Sequence, residues 1–576
     1  MSRRLLATAR RRLEAEQGAP PHPWGGRLRV ALIYPNRYHQ AMSNLGFQWV
    51  HQAINSRPDS LCERFFLPDE ADLQEHRKSG FGLFSLESAR PLTDFDLIAF
   101  SISFENDYLH LPTLFELGRI PLWSAQRGDD YPPVLCGGVC AFLNPEPLAE
   151  IMDLFAVGEG EKILPGLLDC LQPPVLPRRD LYDKLCRLPG IYVPSRYRVE
   201  YAKDGRLVAV TPLGHAPRRV RRQWLENLDD VECRSFIHTK ETEFGDLSLV
   251  EISRGCGRGC RFCAAGFIYL PPRERSAVAL APQFADGLCY RPRLGLVSAA
   301  VSDHSQIVQL QQEIQQAGGQ FSVASLRIDS LTAAEIAALK EAGHRTVALA
   351  PEAGSQRLRN VINKGFDVQG ILRAVRLVAE GGIPNLKLYF LLGLPTETRE
   401  DVDELLDLTK KIRQIWLDAG KRRGRIGHLT LSVNPFVPKP FTPLQWAAMA
   451  PQAELKKRLR SLRAAVGRLP NTEVFAESLR SAELQALLAR GDRRCGRILP
   501  WLAAGDNLRA ACAKAGIDTA FYLYRERQGD EIFPWEIIDS GVSRAYLWQE
   551  YRNALAEQPS TPCALACRRC GVCEQP

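Results

Sequence analysis

Ser253-Arg254-Gly255-Cys256-Gly257-Arg258-Gly259-Cys260-Arg261-Phe262-Cys263 decides how this 576-residue chain is read. Its three cysteines stand at the spacing C-x3-C-x2-C, and the run 247–252 leads into them as a strand. Gly257 and Gly259 lie between the first two cysteines and let the loop curl without a Cβ clash. Three thiolates on one short loop hold three irons of a 4Fe–4S cube, and the fourth iron stays open to a small molecule. A structural zinc site asks for four ligands, and no fourth cysteine or histidine stands close by.

The length allows about three domains, each able to bury its own core. A net charge of +8 is small for this length, so RNA binding is permitted but not indicated. Four of the sixteen cysteines crowd the last fourteen residues. Residues 1–17 lack the apolar segment of a signal peptide, which makes the expected location cytoplasmic and the clustered thiols metal ligands. No apolar run is long enough to span a membrane. The basic stretch 2–13 reads as a solvated terminal helix.

Working outward towards the N-terminus, 29–34, 96–101, 134–136 and 154–157 are apolar runs ending in turn residues, with a helix over 45–54. Strands alternating with helices imply a doubly wound, Rossmann-like sheet over 28–175. Its ligand loops lie at the carboxyl ends of the strands. They contain Asn36, Ser43 and Gly46, then Gly137 and Gly138, then Gly158 and Glu159. Residues 176–245, rich in Pro and Arg, read as a linker with a few strands.

Working the other way, strands are expected at 248–252, 294–300, 321–324, 346–349, 386–391 and 428–433. Helices are expected at 305–317, 333–342, 368–379 and 399–417. Six β/α units over 246–450 make a partial TIM-type barrel with its site at the carboxyl ends of the strands. The region 451–576 reads as mainly helical, with 19 Lys and Arg against 15 Asp and Glu, a solvated surface. It ends in Cys563, Cys567, Cys570 and Cys573, spaced C-x3-C-x2-C-x2-C, which suit a second 4Fe–4S cluster or one zinc.

The central loop, with Phe262 before its third cysteine, resembles that of the radical SAM superfamily. The strand–Gly-Gly–Asn144-Pro145-Glu146–strand–Gly158-Glu159-Gly160-Glu161 order and the C-terminal cysteine tail resemble a subgroup with an N-terminal cobalamin-binding domain. The expected fold is therefore α/β: cobalamin-binding domain, (β/α)6 radical SAM barrel, helical C-terminal region. The resemblance implies that Cys256, Cys260 and Cys263 bind the cluster whose open iron chelates S-adenosylmethionine (SAM). Ser302, Asp303, Ser325, Arg327 and Glu352, at strand ends, have the donor and acceptor types its ammonium, carboxylate and ribose need. The N-terminal strand-end loops would hold cobalamin. The D-x-H-x2-G motif is missing, so no histidine is expected on cobalt. Reductive cleavage of SAM to a 5′-deoxyadenosyl radical, followed by methyl transfer to an unactivated carbon, is the implied activity, with a flavodoxin or ferredoxin as reductant. Catalytic side chains and substrate are not named by the sequence. A methylthiotransferase acting on tRNA or ribosomal protein is the alternative, although Cys62, Cys136 and Cys140 form no convincing extra set. A non-catalytic iron–sulfur or RNA-associated protein is the alternative of another class.

Overall fold

The computed structural model describes residues 2–18, 22–173, 176–323, 326–341, 343–424, 426–564 and 567–574. The first sheet runs in the order Ser60–Phe66, Leu28–Tyr34, Leu97–Ser101, Val134–Gly137, Leu154–Ala156, Ile191–Tyr192. The first five strands are parallel and the sixth is antiparallel. Leu28–Tyr34 is buried at six of seven positions, as a strand covered on both faces must be. The order reverses between Leu28–Tyr34 and Leu97–Ser101, the switch point at which doubly wound sheets bind ligands.

The barrel is parallel but split. Ser248–Glu251, Arg293–Val297 and Gln320–Val323 form one sheet; Thr346–Glu352, Asn385–Leu392, His428–Pro435 and Thr472–Ala476 form another. Its six expected strands are present. The seventh, Thr472–Ala476, extends the barrel beyond 450 into the region read as helical. Around it lie the helices Gln452–Val466 and Leu479–Arg490.

Three other segments depart from the sequence reading. The helix Arg3–Ala15 is docked rather than free, with Leu5 buried, Ser2 Oγ donating to Glu75 at 2.7 Å and Arg12 paired with Asp69 at 2.7 Å. Ser60–Phe66 is an unexpected strand. The supposed linker is structural: Ile191–Tyr192 completes the first sheet, and Val220–Arg221 pairs with Ile538–Asp539.

One apolar core runs through both halves, joining Phe100 and Phe155 of the sheet domain to Leu388 and Phe436 of the barrel. Where they meet, Phe142 packs edge-on against Tyr269, with ring centroids 5.6 Å apart. Among the described residues, no helix is long and apolar enough to cross a membrane.

Candidate active site

The strand Ser248–Glu251 delivers the cysteine loop to the domain boundary, where Ser253–Arg254 turns back against Arg273–Glu274. Gly255 has φ of +88°, and a Cβ there would stand 2.5 Å from the Tyr269 carbonyl oxygen, so only glycine fits. Burial pushes the Cys260 thiol up to about 11, with Lys364 opposing it. Burial also raises Cys263, against hydrogen bonds from the Gly266 and Ala265 amides. These cysteines are not in the solvent-exposed surroundings of reactive surface thiols. Three thiols on one loop fit three irons of a cube.

Arg258, between Cys256 and Cys260, is held bidentately by Asp303, at 2.5 and 2.8 Å, and reaches Asp329 at 3.2 Å. Arg327 pairs bidentately with Asp329, at 3.0 and 2.7 Å, and stands 3.4 Å from Asp303. Asp303 and Arg327, expected as SAM ligands, thus also tie the cysteine loop to the barrel strand ends. Ser302 accepts from Ser330 Oγ at 3.3 Å and lies off the main cavity. Ser325 lies outside the described residues.

Arg254 holds the loop to the sheet domain. Its guanidinium stands 2.7 Å from Glu159, 2.9 Å from Glu161 and 2.8 Å from Glu251. Arg273 pairs with Glu159 at 2.7 Å and Arg275 with Glu251 at 2.8 Å. Three arginines and three glutamates therefore balance inside the boundary. Burial would raise the Glu159 and Glu251 carboxyls, yet these arginines hold both below their ordinary value of 4.5. A depressed carboxylate stabilises the fold fully above its unfolded pKa, and that contribution is lost as pH falls through the folded one. We therefore expect amides of 158–161 and 251–254 to lose hydrogen-exchange protection first as the pH drops below about 4.5. Uniform loss across both domains would contradict this.

A cavity of about 760 Å³ lies at the same boundary. Its walls come from the sheet (Val30, Leu32, Leu135), the cysteine loop (Ser253, Gly255) and the first barrel half (Ser298). Of the residues expected there, Ser43, Gly46, Gly137, Gly138, Gly158 and Glu159 all line it. Asn36 does not: its amide donates to Asp107 at 2.8 Å, and its side-chain oxygen accepts from the Arg37 amide. Nor is Glu159 a free ligand, being engaged with Arg254 and Arg273. The glycines divide. At Gly138 and Gly158 an added Cβ would strike the Ile102 and Gln223 carbonyl oxygens, at 2.5 and 2.1 Å, so the fold requires them. At Gly46 and Gly137 the nearest atoms would be 3.4 and 3.8 Å away, so there the missing side chain leaves room in the cavity. A mainly apolar cavity of this size, with a few polar groups, suits a large organic cofactor. Sequence reasoning missed Arg254, Ser298 and Tyr269 as wall residues.

In the other barrel half, Glu352 ends its strand at φ +63°, a left-handed conformation unusual for glutamate, with Lys364 3.3 Å away. Asn434 Oδ1, at the end of the sixth strand, is buried with no hydrogen-bond partner among the described residues. Such an orphan acceptor at a barrel strand end fits a ligand with amine or hydroxyl donors.

The C-terminal tail lies against the cysteine loop. The Cys563 amide donates to the Gly257 carbonyl oxygen at 2.6 Å, and a narrow cleft is lined jointly by Cys256, Gly257, Cys563, Cys567 and Cys570. Arg569 donates to Cys567 Sγ at 3.3 Å and holds that thiol below its ordinary value. Arg261, inside the central loop and fully buried, pairs with Glu550 at 3.0 Å and donates to the Gln558 carbonyl oxygen and Ser560 Oγ. Among the described residues, no three Cys, His, Asp or Glu side chains are gathered closely enough for a single metal ion.

Cys62, Cys136 and Cys140 are buried in the sheet domain, with Cys62 in a different core cluster from the other two. They do not form the extra ligand set that a methylthiotransferase carries in this domain.

Comparison with known proteins agrees with this division. Residues 46–194 match the N-terminal domain of radical SAM proteins, and 250–409 match the radical SAM superfamily. The chain is 29% identical to the uncharacterized protein MJ0966 of Methanocaldococcus jannaschii, over 84% of this chain and 94% of that one. It is 24% identical to the uncharacterized methyltransferase PH0819 of Pyrococcus horikoshii, over 48% of this chain and 58% of that one. The cobalamin-dependent S-adenosylmethionine radical enzyme OxsB gives a TM-score of 0.42 at 18% identity, over 66% of this chain and 52% of that one. The two radical SAM domains fall on the sheet domain and the barrel described above and together cover more than half of the residues. The chain belongs to the radical SAM superfamily, and with that membership come a 4Fe–4S cluster and SAM.

Proposed function

We propose that this enzyme cleaves SAM reductively and uses the resulting radical for cobalamin-dependent methyl transfer to an unactivated carbon. One observation carries the reading: a single cavity of about 760 Å³ is walled at once by the strand ends of the sheet domain, the cysteine loop and the first barrel strands. Two cofactors that must act on one carbon need such a shared chamber. Cobalamin, when bound, supplies the methyl group. The chain's own residues position and enclose. Val30, Leu32 and Leu135 give an apolar floor, Gly46 and Gly137 leave space above it, and Arg254 fixes the distance between the two halves. On the barrel side, Glu352, paired with Lys364, and Asn434, whose Oδ1 has no partner among the described residues, would help to orient SAM. The description of the Pyrococcus horikoshii relative as a methyltransferase accords with this reading.

The test is an anaerobic assay for 5′-deoxyadenosine, with and without hydroxocobalamin. Cleavage of SAM, together with cobalamin retained by the protein, is the expected result; a protein that retains no cobalamin would sink the reading. No histidine lines the cavity among the described residues. If cobalamin is held with its dimethylbenzimidazole displaced and no histidine on cobalt, electron paramagnetic resonance of the bound Co(II) form should lack nitrogen superhyperfine splitting, and its presence would contradict that binding mode.

A further inference from the structure

We propose that Cys563, Cys567, Cys570 and Cys573 hold a second iron–sulfur cluster, seated on the central cysteine loop, through which electrons enter that loop. The inference rests on the reading of the central loop as the SAM-cleaving centre.

Two observations carry it. First, the tail begins with the same C-x3-C-x2-C spacing as the central loop and adds a fourth cysteine two residues on. Four thiolates complete a cube with no open iron, so this site has no place for SAM. Second, the tail is fixed at its destination. The Cys563 amide bonds to the Gly257 carbonyl oxygen at 2.6 Å, the Ser543 amide bonds to the Cys570 carbonyl oxygen at 2.8 Å, and Cys256 and Cys563 share one cleft. An added Cβ on Gly257 would stand only 3.3 Å from Cys563 Cβ, so the two loops are in direct contact.

The arrangement is that of a relay. One electron leaves a low-potential, one-electron protein reductant of the flavodoxin or ferredoxin type and rests at the tail site. It ends in the sulfonium C–S bond. That bond's two electrons and the added one divide so that methionine departs with the sulfur lone pair restored and the 5′ carbon keeps one. The partly exposed tail is what a protein reductant can reach. Cys573 is exposed, Cys563 and Cys567 are half-buried like Cys256, Cys260 and Cys263, and Cys570 is buried.

The test uses anaerobically reconstituted full-length protein and the fourfold variant Cys563→Ser, Cys567→Ser, Cys570→Ser, Cys573→Ser. The two docking bonds are main-chain bonds, so serine leaves them in place. The variant should lose about four irons per chain. It should also lose a reduced-cluster resonance signal that SAM does not shift, while the SAM-sensitive signal of the central loop remains. The ratio of SAM cleavage driven by reduced flavodoxin to that driven by dithionite should fall at least tenfold. If the variant fails to fold, the wild type still decides: two reduced-cluster signals, one unmoved by SAM, support the site, and one signal refutes it. Loss of one zinc with iron unchanged would overturn the cluster. An unchanged reductant ratio despite lost iron would overturn the relay. If wild-type protein shows both signals but no 5′-deoxyadenosine, the activity reading fails and the tail cluster stands.

Discussion

The triple variant Cys256→Ala, Cys260→Ala, Cys263→Ala yields no 5′-deoxyadenosine above background under anaerobic reduction with dithionite. On the proposed reading these three thiolates hold three irons of a cube and leave the fourth iron with an open coordination position. With all three removed there is no route for an electron into the C–S bond. About four irons per chain go with them, while the tail cysteines, on a separate segment, keep theirs. The double readout matters because Arg261 lies between two of the substituted positions and is fully buried. Disturbing the loop could loosen the tail as well. A variant that loses the central irons but keeps the tail irons separates the two sites. Undiminished 5′-deoxyadenosine from the triple variant would remove the loop from the chemistry altogether.

Arg254→Ala carries the second large effect. Three carboxylates, of Glu159, Glu161 and Glu251, lose their shared cation at a boundary from which water is largely shut out. Removing one side of a buried ion pair costs about 3–5 kcal/mol where the partner charge is left uncompensated; here that applies to Glu161, since Glu159 keeps Arg273 and Glu251 keeps Arg275. The cost falls on the contact between sheet domain and barrel. It should appear as faster hydrogen exchange at 158–161 and 251–254, with the interior strand Leu28–Tyr34 unaffected. Arg254→Lys should recover only part of the loss, since one ammonium does not reproduce three directed guanidinium contacts. Exchange at both segments unchanged in Arg254→Ala would show that the pairs contribute nothing to the join.

The three cysteines and Arg254 lie in one eleven-residue stretch, yet they were not equally legible. The cysteines could be read because their chemistry is local: spacing alone brings three thiols onto one loop. The role of Arg254 depends on Glu159 and Glu161, which the fold brings in from another domain. Asp303 illustrates the same limit from the other side. Its type and its place at a strand end suit a ligand, but the fold presents it to Arg258 first. Ser60–Phe66 escaped recognition because Glu63 and Arg64 interrupt its apolar run. Both are buried, Arg64 between Glu16 and Glu87 at 2.7 and 2.6 Å, and Glu63 beneath Trp24 Nε1 and Ser88 Oγ at 2.7 and 2.6 Å. Thr472–Ala476 was hidden by its short, half-polar run, and only its pairing with His428–Pro435 makes it a strand. The parallel sheet and the barrel were readable because their interior strands are apolar enough to stand out on their own.

The join at Arg261 also sets an order of manufacture. This side chain needs Glu550, the Gln558 carbonyl and Ser560 to satisfy a guanidinium that the finished protein shuts away from water. On the ribosome those partners emerge nearly three hundred residues after the loop itself. Until then the nascent chain must leave Arg261 solvated and the cysteine loop unsealed. The cysteine loop is therefore expected to close fully only once residues 550–560 have emerged. Chains stalled before residue 550 should expose Cys256, Cys260 and Cys263 to thiol-labelling reagents, and released apoprotein should protect them. Equal labelling of the two would show that the loop closes without its C-terminal partners.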